Sequence, residues 1–174
     1  MATFTFSPAK YGTKLTELLS SDRLPELGPG QSAANVHAAL QGLNVESLFG
    51  GQPIRDRAMA QCCLSGLWLW FDYLDESHTI SQSIDTASGS FWHGIMHRRE
   101  PDYSNAKYWF RRVANHPAYD LIAASTSTVK WDPFDFVDRC AHVYGSGSDE
   151  EHRCRELQRL EWQVLFDFCY DNAR

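Results

Sequence analysis

Apolar residues recur every three or four positions through most of this chain, the spacing that places side chains on one face of an α-helix. The longest such stretch covers about residues 55–76. Its broad apolar face consists of Met59, Cys62, Cys63, Leu67, Trp70, Phe71 and Leu74. Further apolar residues extend this face nearly all the way round, and a helix of that kind is normally buried. We therefore predict a buried central helix over residues 55–76.

Cap residues, prolines and glycines divide the rest of the chain into shorter helical segments. These segments cover about residues 10–20, 32–43, 90–99, 102–114, 132–143 and 148–171. No alternating pattern longer than four residues predicts a strand, so the pattern indicates an all-α protein. We expect a compact single-domain helical bundle, since 174 residues suit one domain. Residues 1–30 would form a peripheral helix and loop, and residues 31–174 the core bundle.

Composition and charge narrow the class of protein. The 16 Lys and Arg against 22 Asp and Glu give a net charge of −6, which argues against nonspecific nucleic-acid binding. The longest apolar run, residues 62–71, has about half the length that spans a bilayer, and the N-terminus lacks a secretory pattern. Five cysteines without a CxxC pair are typical of reduced, buried thiols. We therefore expect a cytoplasmic protein without nucleic-acid or membrane partners. The sequence pattern does not predict its oligomeric state.

Acidic residues occupy two unexpected places in the helical pattern. Asp72, Asp75 and Glu76 fall in the last turn of the predicted central helix, where the helix dipole favours cations. Glu161 interrupts the apolar face of the last predicted helix. We therefore predict a positive group near the acidic helix end, and an Arg or His as the inward partner of Glu161.

A histidine pair provides the first candidate chemistry. The run FWHGIMHRREPD places His93 and His97 four positions apart, so on a helix both imidazoles project from one face, with Glu100 near them. His78 follows the acidic segment and supplies a third imidazole. Because imidazole is a common ligand of zinc and iron, one hypothesis is a divalent metal (zinc, iron or manganese) held by His78, His93 and His97.

The same segment also allows an interpretation without a metal. Glu76, His78, His93 and His97 are candidate catalytic acids and bases, whose pKa values burial against neighbouring rings would tune. The chain lacks the HExxH motif of zinc proteases and the paired ExxH motifs of di-iron bundles. A histidine pair at helical spacing can also be purely structural, so these alternatives stay open.

Cations and large aromatic rings are interleaved around and after the histidines. Guanidinium groups hold carboxylate or phosphate at two points, which suggests a cleft for an anionic or polyhydroxy substrate. The candidate substrate-binding residues are Asp72, Arg98, Arg99, Glu100, Lys107, Tyr108, Trp109 and Arg112. The alternative is that these cations neutralise the nearby carboxylates in a salt-bridged layer between helices.

Three runs of this sequence resemble those of an uncharacterised family of bacterial and fungal hypothetical proteins. They are LWLWFDYLDESHTISQSID, FWHGIMHRREPDYSNAKYWFRRV and LEWQVLFDFCY, and the resemblance covers roughly residues 45–170. This resemblance implies no particular activity. A looser similarity is to DinB-like helical bundles, which hold a divalent metal with a His on one helix and an HxxxH pair on another. That similarity implies a metal site at His78, His93 and His97.

These observations lead to three functional hypotheses. The first is a small-molecule enzyme, a lyase, isomerase or hydrolase that uses His and Glu acid-base chemistry or a metal. The second is a noncatalytic binding module for a phosphorylated or carboxylated metabolite. The third is a structural protein whose charged residues form only a salt-bridged polar layer.

Overall fold

The computed structural model describes residues 4–174 of the chain. This part contains ten α-helices and no β-strand. The helices are α1 (Thr13–Leu19), α2 (His37–Gln41), α3 (Val45–Leu48), α4 (Arg57–Trp70), α5 (Leu74–Ser81), α6 (Ala87–Arg99), α7 (Tyr103–Val113), α8 (Pro117–Thr126), α9 (Pro133–Val143) and α10 (Asp149–Ala173). The predicted all-α class is therefore confirmed. No helix within this range is long and apolar enough to cross a membrane.

Polar cap residues start three helices where the sequence predicts them, whereas α2 begins at His37 and α6 at Ala87 rather than near residues 32 and 90. Asp102 accepts a hydrogen bond from the Asn105 backbone at 3.1 Å, and Ser148 accepts one from the Glu151 backbone at 3.2 Å. Asp132, which precedes a proline at the first helical position, caps α9 in the same way. Each cap satisfies a backbone N–H that has no partner within its helix.

The buried helix α4 packs against α5, α6 and α10. Gly66 permits the close approach of α6, since a Cβ at this position would lie 2.8 Å from the ring of Trp92. The carbonyl of Gly66 also accepts a 2.8 Å hydrogen bond from the indole of Trp162 on α10. The predicted central helix is thus present and buried.

The C-terminal end of that helix differs from the prediction. The chain leaves the helix after Trp70, passes through Asp72 with a φ of 65°, and starts α5 at Leu74. Asp75 and Glu76 therefore lie in the first turn of α5, where the helix dipole favours carboxylates. The helical pattern continued to residue 76 because Leu74 stays in phase with the apolar face across the break.

The N-terminal segment contributes to the core as well as to the periphery. Tyr11, Leu15, Leu19 and Leu27 are all buried, so α1 and the loop after it cover the bundle with apolar side chains. Residues 1–3, which the predicted peripheral segment included, lie outside the described residues. The five cysteines are free and buried, as predicted.

Candidate metal centre

Three imidazole rings meet where α5 packs against α6. His78 lies on α5, and His93 and His97 lie one turn apart on α6. The ring centroid of His78 is 4.7 Å from that of His93 and 5.2 Å from that of His97, and the two α6 rings are 4.7 Å apart. One possible ligand atom from each histidine lies within 4.8 Å of the others. The predicted three-histidine cluster is therefore present.

A tight reversal between α5 and α6 brings His78 onto the face of His93. Thr86 caps α6 by accepting a 3.0 Å hydrogen bond from the backbone of Gly89. Only glycine fits at position 89, because a Cβ there would lie 2.3 Å from the carbonyl oxygen of Ile84. A hydrogen bond of 3.0 Å from Ser65 to the carbonyl of Ser77 ties α5 to α4.

Hydrogen bonds to Nδ1 orient both histidines of α6. Nδ1 of His97 lies 2.9 Å from Oε2 of Glu100, and because a carboxylate accepts, this nitrogen carries the proton. Nδ1 of His93 lies 3.1 Å from Oγ of Ser81, whose hydroxyl is directed to the carbonyl of His78. Both rings then present the lone pair on Nε2, and metal-binding histidines are commonly held in this way.

Helix α7 covers the cluster from a third side. The ring of Trp109 lies over His93 with a centroid distance of 4.0 Å, and Nδ2 of Asn105 lies 3.1 Å from Nε2 of His97. A metal on His97 would have to take the place of this amide. Sequence reasoning named Trp109 but missed Asn105 and Ser81. The signals available were the three-residue spacing of Ser81 from His78 and of Asn105 from the α7 cap at Asp102.

The surroundings of His93 and His97 keep both of these imidazoles neutral. Burial, together with the nearby His97 and His78, lowers the pKa of His93 to about 3. Burial also lowers the pKa of His97, although Glu100 acts in the opposite direction. Neutral imidazole is the form that binds metals, so no proton has to leave these two rings first.

An open acidic cleft of about 720 Å³ adjoins the histidines at Glu100. Its acidic lining residues are Asp72, Asp75, Glu76, Glu100 and Asp102. Glu76 also borders a shallower hollow beside Trp68, but it makes no hydrogen bond to the three histidines within residues 4–174. Glu100 is thus the carboxylate that connects the cleft to the imidazoles.

Arg98 has a structural role, which corrects its expected role in substrate binding. Its side chain is fully buried and lies 2.5 Å from the carboxylate of Glu161, with Gln158 beside it and the ring of Phe136 at 4.5 Å. The inward ion pair predicted for Glu161 is therefore confirmed. A guanidinium so enclosed offers no atom to a ligand in the cleft.

Arg99 is also used inside the protein, and the same correction applies to it. Its guanidinium lies 2.5 Å from Asp72 and donates to the backbone carbonyls of Gly28 and Leu69. Arg23 makes a second ion pair with Asp72. The positive group predicted near the acidic segment is therefore present as Arg99 and Arg23. These arginines stabilise the bend between α4 and α5.

The remaining candidates lie apart from the cleft. Lys107 pairs with Asp138 at 2.6 Å, and Arg112 pairs with Asp85 at 3.2 Å while lying over Trp109. Tyr108 is exposed. The structure thus gathers the histidines with Glu100 and Trp109, and it directs the predicted cations to other partners.

Comparison of the chain with protein-family models, curated proteins and solved structures gives no match. A functional assignment must therefore be based on the chemistry of the cluster. Three convergent imidazoles suit a divalent transition metal, and they leave further coordination positions for water or a substrate.

Proposed function

We propose that His78, His93 and His97 bind one divalent transition metal and that the protein is a metal-dependent small-molecule enzyme. The observation that supports this proposal is the convergence of three imidazoles, two of them oriented by hydrogen bonds to Nδ1. Zinc and iron suit an all-imidazole set better than manganese, which prefers oxygen ligands. The chain therefore supplies a site for zinc or iron.

The ligand number favours a catalytic site over a structural one. Structural zinc sites are closed by four protein ligands, usually including cysteine, whereas catalytic sites keep a position open. The five cysteines are free and buried, and none belongs to the histidine cluster. A metal held at three histidines would supply an activated water or polarise a substrate oxygen.

The protein groups around the cluster would position and transfer protons. Glu100 holds the Nδ1 proton of His97 and faces the cleft, so it orients the ligand and borders the substrate. Glu76 lies on the same cleft and is the candidate general base for a lyase, isomerase or hydrolase reaction. Asn105 would donate to substrate oxygen once a metal occupies Nε2 of His97.

The lining of the cleft favours a neutral polyhydroxy substrate over an anionic one. Five carboxylates and no Lys, Arg or His line it, and Arg98 and Arg99, which were expected to bind an anion, pair with Glu161 and Asp72. Carboxylates accept hydrogen bonds from hydroxyl groups and repel anions. Kinship with DinB-like bundles is part of this proposal, because the ligand set combines one histidine from one helix with an HxxxH pair from another.

Metal analysis of untagged protein tests the proposal. After loading with zinc or ferrous iron and dialysis, elemental analysis should find roughly one equivalent per chain, as a single site requires. The variants His78→Ala, His93→Ala and His97→Ala should each lose it. His142→Ala and His152→Ala are matched controls, since both histidines are exposed and away from the cluster. Wild-type protein that retains no metal would refute the proposal.

Cobalt substitution tests whether a coordination position is open. With Co²⁺ at three histidines and a water, the visible spectrum should change with pH as the water ionises, and it should change again with azide. A spectrum that responds to neither would indicate a closed, structural site. Glu100→Gln should shift the pH at which the water ionises, because it alters the hydrogen bond to His97.

A further inference from the structure

A second groove lies at the far end of α7, between α8 and the segment that leads into α9. One lobe, of about 260 Å³, is lined by residues that include Phe110, Arg111, Trp131 and Phe134. The other, of about 380 Å³, adjoins the first turn of α8. The two lobes share Asn115, Tyr119, Lys130 and Trp131. This groove contains none of the residues of the metal centre.

The groove contains cationic side chains that make no ion pair with the described residues. Within residues 4–174, four of the 16 Lys and Arg side chains make no ion pair. They are Lys14, Arg55, Arg111 and Lys130. Two of the four, Arg111 and Lys130, line the smaller lobe together. Since most cations of this acidic protein are paired, two unpaired ones at one hollow indicate an external anion.

Two buried donors in the groove walls also lack partners. Trp131 is only 5% exposed, and its Nε1 has no hydrogen-bond partner. The hydroxyl of Tyr119 is likewise buried without a partner. Burial raises the pKa of Tyr119 far above its usual range, so the phenol keeps its proton and can donate. Buried polar groups in folded proteins are nearly always paired, so a ring rotation that turns either donor toward an acceptor oxygen in the groove would supply a missing partner.

The carboxylates near the groove offset only part of this positive charge, because the smaller lobe holds one carboxylate, Asp132, against two cations. Asp132 lies in the smaller lobe, but its side chain caps α9 by accepting from the backbone of Phe134 at 2.8 Å. Asp120 borders only the larger lobe. An anionic head is therefore expected in the smaller lobe, beside Arg111 and Lys130. The rings of Phe110, Trp131 and Phe134 supply an apolar wall for the rest of the ligand.

We infer that this groove binds a small organic anion, a carboxylate or phosphate attached to a single planar ring. The head lies against Arg111 and Lys130, whose side chains are exposed at the smaller lobe, and the ring packs on the aromatic wall that includes Trp131. Benzoate and phenyl phosphate carry the shared chemistry with the two different heads. Benzyl alcohol has a similar ring and no charge.

Titration of the full chain followed by ¹H–¹⁵N NMR tests this inference. The protein has six tryptophans, and Trp131→Phe identifies the indole signal that belongs to Trp131. Benzoate or phenyl phosphate should shift that signal saturably, and benzyl alcohol should not. Arg111→Gln and Lys130→Gln should each weaken binding about tenfold, the usual effect of losing one charged hydrogen bond. The stronger of the two anions identifies the preferred head.

Lys14→Gln and Arg55→Gln serve as matched controls, because they remove the two unpaired cations that lie elsewhere. Both should bind the anions with unchanged affinity. The other five indole signals show whether each variant keeps the native fold. The inference is overturned if neither anion shifts the Trp131 signal saturably. It is equally overturned if the Arg111→Gln/Lys130→Gln double variant binds as tightly as the wild type.

Discussion

On α6, His97 and the two arginines that follow it are all buried, yet their surroundings differ. Arg98 and Arg99 each face a carboxylate at 2.5 Å, from Glu161 and Asp72. His97 also meets a carboxylate, Glu100, but as a neutral ring that donates through Nδ1, and it packs against two other imidazoles. Arginine stays charged when buried and needs a partner inside the protein, whereas histidine can be buried as a neutral base that keeps a lone pair. The same helix therefore carries structural ions and a cluster that can still bind a ligand.

Removal of Glu161 should have the largest effect on stability, because it breaks the buried ion pair with Arg98. Glu161→Leu leaves the guanidinium of Arg98 buried without its carboxylate, and we expect a loss of about 3–5 kcal/mol in the free energy of unfolding. Urea denaturation measures this loss. The double variant Arg98→Met/Glu161→Leu should recover most of it, because no charge is then left unpaired. A double variant as unstable as the single one would show that packing, not charge, is responsible.

Metal loading should stabilise the histidine cluster by a smaller amount. At a free zinc concentration 100 times the dissociation constant, the native protein should gain about 2.7 kcal/mol, and this gain should vanish in His93→Ala. Thermal denaturation with and without zinc measures it. His152→Ala, which changes an exposed histidine, should retain the full gain. An equal gain in His93→Ala would place the metal elsewhere.

Substitution of Asp72 separates the ion pair from the bend that it occupies. Asp72→Asn should lower the free energy of unfolding by about 2 kcal/mol, since Arg99 and Arg23 both lose a charged hydrogen-bond partner. Asparagine tolerates the positive φ of 65° at this position, so the bend itself should persist. Chemical denaturation gives the change. Asp72→Ala should cost more, because it adds backbone strain to the lost ion pair.

His116 is a histidine that is buried in its neutral form outside the cluster. Its effect on stability should be the smallest of the four, and it serves as a control for the cluster. Its Nδ1 accepts from the Ala118 backbone at 3.1 Å, its Nε2 lies 3.0 Å from Ser88, and burial lowers its pKa to about 4. The unfolded chain therefore binds more protons than the native one between pH 4 and about pH 6.5, so stability falls as pH decreases through that window. At about pH 5.5 the loss should be about 1.4 kcal/mol from this residue.

The variant His116→Asn isolates that contribution. Asparagine can still cap α8, so the variant should fold and should show a shallower decrease in stability below about pH 6.5. Urea denaturation across this range compares the two proteins. A decrease as steep as that of the wild type would assign the pH dependence to other groups.

Much of the fold was predictable because it depends on neighbours in sequence. Asp102, Asp132 and Ser148 cap the helices they were expected to start, since a cap needs only a side-chain oxygen and a backbone N–H two or three residues later. The bend near Asp72 was missed because Leu74 continues the apolar spacing. Ser81 and Asn105 were missed because their three-residue spacings from His78 and Asp102 show the helix face they share but not the ring they contact.

The sequence by itself determined the all-α class, the buried α4 and the spacing that places His93 and His97 on one face of α6. These depend on helical periodicity, which is a local property. Only the tertiary structure decided that His78 meets that face while Arg98 turns to Glu161, 63 residues away. A buried arginine needs an anionic partner, and this follows from the residue type. Tertiary packing determines which carboxylate pairs with it, and therefore which polar groups remain free to bind a ligand.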